Sequence, residues 1–545
     1  MHEAVDRVNL DALPAATEGS LPEPLASLSS RIKGRILADR TTRVIYATDA
    51  SAYREFPVGV VVPENTDDLK AIVRWAGENH VPLVPRGAGT SLAGQVVGSG
   101  LVVDMRRFDR ILELNRAEHW VRVEPAVIRD ILNAELAPAG LLFGPETSTA
   151  NRAFIGGMIG NNSCSMHSLV WGCTREHLIS CKAILADGSD VVFEALSPAA
   201  FHAKRALPTL EGRIYQHLYQ RLSDPEIRRG LAEGYPKPEI RRRNNGYAID
   251  LLARSNVFTP GGPDFNMCQL VCGSEGTLCL VTEAKLDLVP LPPPVTGVVT
   301  LHFRDSIEAL RATLIAREFG PTTCELFGEF HIRQVMANNE QNSTNLVARC
   351  SQWIQGTPQT VIVVEFSEAS RAAVEAKAAA MVEKLKGLGM GYAWPLWFGA
   401  DVDRIWDLRR ALGGINNSKP GDSKACELIE DCALDIRDLP DYVVRLEKLL
   451  DGAGVEYTHS AHAGDGELHT IVFLDLKTAE GHRLYRWILE NTAALVKEFR
   501  GSLSGEHGDG HTRGEFLAKM IGAENYRLCC EVKDSFDPDG ILNPH

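Results

Sequence analysis

The sequence predicts a protein of the α+β class that is divided into several domains. Its 545 residues exceed the roughly 250–300 residues that a single hydrophobic core serves. From residue 58 to 112, apolar strand-like runs alternate with a segment of helical period. The proline-rich run PLPPPV at residues 290–295 is typical of a linker, so we place a domain boundary there.

Local patterns assign the elements in chain order. Residues 1–50 lack a strong period and predict an N-terminal arm with one short helix near LPEPLASLSSRIKG. VGVVVP, VPLVP and GLVVDM predict strands around a helix in DDLKAIVRWAGENH. Asp187 and Gly188 predict a hairpin turn. Beyond residue 295, segments such as SIEALRATLIAREFG, TVIVVEFSE and RAAVEAKAAAMVEKLKGLG predict further helices and strands.

Composition narrows the function classes. The formal net charge of −14 argues against nonspecific nucleic-acid binding and against a polybasic membrane anchor. No apolar run approaches the ~18 residues of a membrane-spanning helix, and the N-terminus has no signal-peptide pattern. The twelve cysteines include no CxxC pair and no closely spaced set of four. A cytoplasmic protein with reduced cysteines is expected.

The loop PRGAGTSLAG, from Pro85 to Gly94, follows an apolar strand-like run. Its glycines and small residues would let backbone N–H groups approach a phosphate closely. It is not a dinucleotide fingerprint, because Leu92 stands where the third glycine would be. Taken alone, the loop is equally compatible with an ordinary tight turn.

Further motifs change this balance. The chain contains, in this order, the motifs PRGAGTS, PETST…IGGMIGNN, RRNNGY and GSEGTL. FAD-dependent enzymes related to vanillyl-alcohol oxidase have similar motifs in the same order. The sequence resembles that family from about residue 55 onward. The resemblance implies a two-subdomain PCMH-type FAD-binding fold with an α+β cap. It implies an FAD-binding domain over 51–290, a cap or substrate domain over 291–500, and a C-terminal segment over 501–545 that completes the active site.

The same resemblance implies which residues hold FAD. They are Pro85, Arg86, Gly87, Ala88, Gly89, Thr90, Ser91, Pro145, Thr147, Gly156, Gly157, Asn162, Gly172, Gly276 and Asn543. The first loop has no histidine of the kind to which some members attach flavin, so noncovalent FAD is expected. Cys164 and Ser165 stand where relatives commonly have glycines, which predicts different packing there.

A second chemical region is AHAGDGELH, followed by GEHGDGHTR. A two-residue turn at Asp465 and Gly466 would pair His462 with His469 across a hairpin, close enough to share a divalent cation. Spacing alone leaves open that these histidines are hydrogen-bonded loop residues. The glycines around Glu506 and His507 would let both side chains face the same site.

AHAGDGELH and GEHGDGHTR are similar to the GHxGDGxLH and EHG motifs of the family branch that oxidises D-2-hydroxy acids. This resemblance implies that His462, His469 and Glu506 bind zinc or manganese and that His507 is the catalytic base. A metal on the 2-hydroxyl would lower its pKa, and an ordinary histidine pKa near 6.5 would let His507 accept the proton. Hydride would then pass to the flavin.

A cation is also needed for the substrate carboxylate. Arg409 and Arg410 lie in a helical pattern, and the W-x-L-R spacing of relatives favours Arg409, whose guanidinium could bind bidentately; Arg513 is a weaker candidate. Relatives that use D-2-hydroxyglutarate often have an asparagine at position 471 and a lysine near 429–431, where this sequence has Ile471 and Ile429-Glu430-Asp431. D-lactate-like acids, D-2-hydroxyglutarate and glycolate therefore all stay open.

The electron acceptor and the oligomeric state are not specified. FDPDGILNPH ends where relatives read NPGK and continue, so an iron–sulfur domain or subunit is one expected acceptor, and a homodimer is left open. Two other classes are compatible with parts of the sequence. A flavin-dependent alkyl transferase would share the fold, and a metal hydrolase without flavin would share the histidine cluster.

Overall fold

The computed structural model describes residues 21, 23–341 and 351–544; the first twenty residues of the predicted arm lie outside this part. A first sheet has the strand order β1-β2-β4-β3. Its strands are β1 Arg35–Leu37, β2 Gly59–Val62, β3 Leu83–Arg86 and β4 Leu101–Asp104. The predicted helices of this region are Leu25–Ser29 and Thr66–Asn79, with a further one at Arg40–Ile45. Because β1 pairs with β2, residues 35–37 belong to the sheet of the following domain.

A second sheet has the order β5-β6-β12-β8-β9. Its strands are β5 Ile111–Asn115, β6 Trp120–Val123, β8 Leu178–Ile184, β9 Asp190–Phe193 and β12 Leu280–Asp287. Two short pairs accompany it: β7 Leu141–Leu142 with β13 Val289–Pro290, and β10 Ala195–Leu196 with β11 Phe265–Asn266. The turn between β8 and β9 contains Gly188 at φ 76°, as the Asp-Gly pattern predicts.

Helices surround this second sheet. They are Arg129–Leu136, Ile155–Asn161, Ser168–Trp171, Thr174–His177, Pro198–Arg205, Leu210–Leu222, Pro225–Gly234, Ile249–Ala253 and Cys268–Val271. An aromatic cluster around Phe201, Tyr215 and Phe265 packs the layer between helices and strands.

A third, seven-stranded sheet has the order β17-β14-β16-β15-β19-β20-β18. Its strands are β14 Val295–Phe303, β15 Thr323–Phe327, β16 Thr360–Glu368, β17 Leu396–Phe398, β18 Lys424–Ala433, β19 Glu456–His462 and β20 Glu467–Leu474. The helices of this part are Ser306–Arg317, Glu329–Gln341, Arg371–Gly387, Ala400–Asn417, Leu439–Ala453 and Ala479–Glu498. It begins directly after the proline-rich run, so this part corresponds to the predicted cap.

The C-terminal segment links the cap to the first sheet. Ser502 N donates to Ala433 O at 2.8 Å, and Gly505 N donates to Asp431 O at 2.7 Å. After the helices Gly510–Arg513, Leu517–Ile521 and Ala523–Phe536, the chain reaches Leu83, whose carbonyl accepts from Asn543 N at 2.8 Å. The predicted α+β class is confirmed. Among the described helices, none combines the length and the apolar character needed to cross a bilayer.

Candidate functional site

One cavity of about 780 Å³ lies between the glycine-rich loops and the third sheet. A volume of this size falls in the range of small-molecule and cofactor sites. It brings together most of the residues that the sequence singles out, which are Pro85, Arg86, Gly87, Ala88, Gly89, Thr90, Ser91, Thr147, Gly156, Gly157, Gly276, Arg409, His462, His469, Glu506 and His507. The two predicted regions therefore form a single site.

The first glycine-rich loop presents backbone donors to this cavity. Within the described part of the chain, the N–H groups of Ala88, Gly89, Thr90 and Ser91 have no protein acceptor. The Arg86 guanidinium packs against Gly89 and donates to backbone carbonyls, including Thr48 O at 2.7 Å. The loop thus offers a row of N–H groups to a phosphate, while the Arg86 side chain supports the loop from behind.

The GSEGTL loop packs on the first loop through Gly276. This glycine has φ 72°, and a Cβ atom there would collide with the Pro85 ring. Gly157, on the opposite wall, has no heavy atom within 4 Å of the place where its Cβ would lie. The two loops therefore pack closely at Gly276 and leave open space beside Gly157. Such a cavity suits an extended ligand such as FAD.

Gly276→Ala is expected to weaken FAD binding by about 10–100-fold, because a side chain at positive φ costs about 1–3 kcal/mol and this one must also displace the rigid proline. FAD titration of the apoprotein measures the change. Gly140→Ala is the matched control: Gly140 has φ 73° and open space around its Cβ position, so it shares the backbone strain without touching the loops. Equal FAD affinity in both variants would contradict the prediction.

Four predicted FAD residues do not line the cavity. Pro145 accepts from Arg129 Nε at 3.1 Å. Asn162 ends the helix Ile155–Asn161 at φ 50° and accepts from Arg175 N at 2.9 Å. Gly172 lies against Glu176 and Arg241. Asn543 donates to Gln95 O and Glu275 O, each at 2.9 Å. These four residues lie outside the cavity lining and contact neighbouring segments. Their roles in FAD binding stay predictions.

The histidine hairpin differs in register from the prediction. His462 pairs with Glu467, and His469 pairs with Ser460, because residues 463–465 form a 3₁₀ turn that lengthens the connection. The predicted two-residue turn and direct histidine pair are therefore wrong. The two histidines are nevertheless diagonal neighbours on one face of the sheet, with ring centroids 5.1 Å apart.

Three imidazole nitrogens surround one carboxylate oxygen. Glu506 Oε1 lies 3.4 Å from His462 Nε2, 3.7 Å from His469 Nε2 and 3.5 Å from His507 Nε2. Two of these histidines and Glu506 are the predicted metal ligands. Two imidazoles and a carboxylate form a donor set that suits zinc.

Each of these imidazoles has an acceptor on its other nitrogen. His462 Nδ1 is 2.7 Å from Glu325 Oε1, His507 Nδ1 is 2.6 Å from Glu430 Oε2, and His469 Nδ1 contacts the Glu430 carbonyl. In the neutral form of each ring, an acceptor at Nδ1 favours the tautomer with its proton there, which leaves the Nε2 lone pair facing the cluster. The arrangement is that of histidines prepared to bind a cation.

Buried charges around Glu506 balance one another. Arg242 is fully buried, and its Nη1 lies 3.1 Å from Glu506 Oε2 and also pairs with Glu467. Burial opposes ionisation of Glu506, but Arg242 and His462 outweigh it and lower its pKa to about 2. Burial, aided by Arg242, holds the pKa of His462 well below its usual range. A neutral His462 and an ionised Glu506 are the forms that bind metal.

His507 does not have the ordinary pKa assumed from the sequence. Burial opposes its protonation, but the carboxylates of Glu430 and Asp431 outweigh burial and raise its pKa to about 10. In the protein alone, the imidazole is therefore charged at neutral pH. The reason is tertiary: Glu430 and Asp431 reach His507 from β18.

The three candidate arginines occupy different environments. Arg409 lines the cavity, with Nε 2.8 Å from Glu325 Oε2 and Nη2 3.1 Å from His462 Nε2. Arg410 also reaches the cavity, but its side chain is 61% exposed and pairs with Asp407. Arg513 is fully buried, pairs with Glu430 and does not line the cavity. The geometry favours Arg409.

Sequence reasoning missed the carboxylates that orient the site. Glu325 lies in the strand TCELF, and Glu430 with Asp431 lies in ELIEDCA. Acidic residues inside apolar strands are a usable signal, because a buried carboxylate needs a partner. Arg242 lies within the RRNNGY motif. That motif indicates the family but does not by itself predict a buried partner for Glu506.

The fold and the cavity define a flavoprotein of the FAD-linked oxidase class. Residues 57–193 match the family described as "FAD binding domain", and residues 292–545 match "FAD linked oxidases, C-terminal domain". An alkyldihydroxyacetonephosphate synthase structure aligns with a TM-score of 0.64 at 14% identity, covering 99% of this chain and 87% of that one. This likeness shows the fold.

The chain belongs to the FAD-linked oxidase family with a PCMH-type FAD-binding domain. A D-2-hydroxyglutarate dehydrogenase from Pseudomonas putida is 32% identical over 97% of this chain and 52% of the relative. A glycolate oxidase subunit from Bacillus subtilis is 24% identical over 92% of this chain and 91% of the relative. The chain thus spans about half the length of the D-2-hydroxyglutarate dehydrogenases that it matches.

Proposed function

We propose that this protein is an FAD-dependent dehydrogenase that oxidises a D-2-hydroxy acid to the 2-oxo acid with the help of a divalent cation. The observation that carries the proposal is the shared cavity, in which the histidine–glutamate cluster opens onto the same space as the glycine-rich loops. The names of the dehydrogenase relatives support it. FAD, when bound noncovalently along the loops, supplies the hydride acceptor.

The donor set fits a metal. His462, His469 and Glu506 would hold it, and the buried carboxylate of Glu467 lies beside them. By ligand type, the two imidazoles suit zinc and the carboxylate also suits manganese, so we propose zinc or manganese. A divalent cation, when bound, supplies Lewis acidity toward the substrate hydroxyl and positive charge that lowers the pKa of a neighbouring imidazole.

The remaining roles belong to His507 and Arg409. His507 Nε2 faces the cluster, and Glu430 holds its Nδ1, so Nε2 is placed to take the hydroxyl proton. Only the neutral form of His507 can accept this proton. A bound cation would favour that form, because it would lower the pKa of His507 against the effect of Glu430 and Asp431. Arg409 projects from the helix Ala400–Asn417 over the same cavity and would bind the substrate carboxylate.

The substrate side chain would meet the cap. Ile471 and Glu427 line this end of the cavity, whereas Arg513 and His507 bind the Glu430 carboxylate. Relatives that use D-2-hydroxyglutarate often have an asparagine at position 471 and a lysine near 429–431. Here these positions hold Ile471 and Ile429-Glu430-Asp431, none of which carries a positive charge. D-lactate-like acids and D-2-hydroxyglutarate both stay within the proposal.

An anaerobic flavin-reduction screen tests the function. The purified protein, supplied with FAD and a divalent metal, is mixed with the D- and L-forms of lactate, 2-hydroxyglutarate and malate, and with glycolate. Bleaching of the visible flavin band by a D-acid or by glycolate, but not by the L-forms, is the expected result. A protein that binds FAD but is not reduced by any of these acids would exclude the proposal and favour the alkyl transferase alternative. Failure to bind FAD would favour the hydrolase.

Arg409→Lys is expected to raise the apparent Kd for the substrate by about 10–100-fold, since a charge-assisted hydrogen bond contributes about 1.5–3 kcal/mol and lysine lacks the fork of arginine. Substrate dependence of the flavin-reduction rate provides the measurement. Arg410→Lys is the control and should change Kd by less than about twofold, because an exposed ion pair contributes little. If Arg410→Lys raised Kd more than Arg409→Lys does, Arg410 and not Arg409 would be the residue that binds the substrate carboxylate.

The proposal extends to the partners. Reduced FAD must pass its electrons on, and an iron–sulfur domain or subunit remains the acceptor that we propose. The cytoplasmic location, the homodimer and the division into domains at residues 50, 290 and 500 stay predictions.

A further inference from the structure

His167 lies where the flavin side of the molecule contacts the cap. Its Nδ1 is 2.8 Å from Glu146 Oε2, in the loop that continues to the cavity residue Thr147. Its Nε2 is 3.0 Å from Glu365 Oε1, on β16 of the third sheet. One imidazole therefore joins two separate parts of the fold.

The contact requires a charged imidazole. Both ring nitrogens face carboxylate oxygens, and only the imidazolium can donate to both. Burial opposes this charge, but Glu146 and Glu365 outweigh it and hold the pKa of His167 well above its usual range. Arg129 also reaches the contact: its Nη2 lies 3.5 Å from Glu146 Oε1, and its Nη1 lies 3.1 Å from Asp130 Oδ1. His167 thus shares Glu146 with Arg129 but is the cation that joins Glu146 to Glu365.

Glu365 carries the contact onward to the helix Ala400–Asn417. Its Oε2 accepts from Trp406 Nε1 at 3.0 Å, and its Oε1 also accepts from Thr322 Oγ1 at 2.7 Å. Trp406 lies three residues before Arg409, a spacing that puts both side chains on the same side of the helix. Arg409 in turn contacts Glu325 and His462.

We propose that His167 is a positioning residue that fastens the helix Ala400–Asn417 to the loop containing Glu146, and thereby sets where Arg409 meets the substrate. The effect on substrate rests on the function proposed for Arg409, whereas the fastening itself does not. Without the imidazolium, Glu365 and Glu146 each lose one donor, and the link between them is broken, so the helix is held by fewer contacts.

Hydrogen–deuterium exchange tests the fastening. His167→Gln removes the charge and at least one of the two donors, and Trp406→Phe removes the indole N–H with part of the ring but keeps an aromatic side chain. In both variants, exchange in the helix Ala400–Asn417 is expected to accelerate by up to about tenfold, the effect of losing about one net hydrogen bond. His202→Gln, at an exposed histidine of the helix Pro198–Arg205, is the control and should leave exchange unchanged.

Flavin reduction tests the consequence for substrate. His167→Gln is expected to raise the apparent Kd of the reactive 2-hydroxy acid by about tenfold, with a smaller change in the limiting rate. Because His167 acts through Arg409, the double variant with Arg409→Lys should show less than the product of the two single effects. A role confined to stability would lower the melting temperature and leave Kd unchanged.

Three results would overturn the inference: unchanged exchange of the helix in His167→Gln, an unchanged Kd in that variant, or Kd effects of His167→Gln and Arg409→Lys that multiply fully. If no 2-hydroxy acid reduces the flavin of the wild-type protein, the proposed function fails. The exchange experiment then decides on the fastening by itself.

Discussion

Replacing His507 by alanine is expected to lower the limiting rate of flavin reduction by about 10²–10⁴-fold, the range for loss of a general base. FAD should remain bound, because the cofactor loops do not depend on this side chain. The metal should also remain bound, because His462, His469 and Glu506 are unchanged. Anaerobic stopped-flow measurement of flavin bleaching gives the rate, and flavin and metal contents of the same sample exclude a loss of cofactors.

His459→Gln provides the matched control for this substitution. His459 lies on the same hairpin and is buried, but it bonds Thr470 Oγ1 at 3.0 Å and does not line the cavity. Its flavin-reduction rate should stay within about threefold of the wild type, as expected for a residue outside the reacting groups. Undiminished reduction in His507→Ala would reject the base assignment.

Removing the metal is the second change with a large expected effect. A cation that polarises the hydroxyl lowers the barrier by several kcal/mol, so complete chelation should slow flavin reduction by about 10²–10³-fold. Adding zinc or manganese back should restore the rate. Flavin reduction that survives complete metal removal would refute the metal-assisted mechanism.

Substitutions around the cluster should form a graded series. Glu506→Gln removes a charged ligand and should abolish stoichiometric metal binding. Glu325→Gln leaves the ligands in place but weakens the hold on His462 Nδ1, so metal affinity should fall by about 10–100-fold. Glu447→Gln, remote from the cluster, should have no effect. Metal content and metal titration of the apoprotein measure the series, and equal affinity in all three variants would contradict it.

Features encoded in short stretches of sequence were predicted well. The helix Thr66–Asn79 follows from its apolar period and begins where the Asn65 side chain accepts from Asp68 N. The first glycine-rich loop follows β3 directly, as the change from apolar to small residues indicates. Both depend mainly on neighbours in the chain, so their sequence patterns are sufficient.

The histidine hairpin shows where such reasoning reaches its limit. Asp-Gly favours a tight turn, but residues 463–466 form a longer connection that is also bound from outside. Arg317 Nη1 donates to Gly464 O at 2.8 Å, and Ser168 contacts Asp465. Contacts with residues distant in sequence therefore stabilise the longer connection over the two-residue turn. The histidines still met, because a shift of two residues keeps a side chain on the same face of a sheet.

The sequence by itself, through its resemblance to a known family, predicted the flavin loops and a candidate metal cluster, since each lies within short segments whose motifs are local. The charge state and orientation of that cluster depended on the tertiary structure. Glu325 lies 137 positions from His462, and Glu430 lies 77 positions from His507. Glu325 favours one tautomer of His462, and Glu430 raises the pKa of His507. Both act only because the third sheet places them within hydrogen-bonding distance, and a linear sequence does not specify that packing.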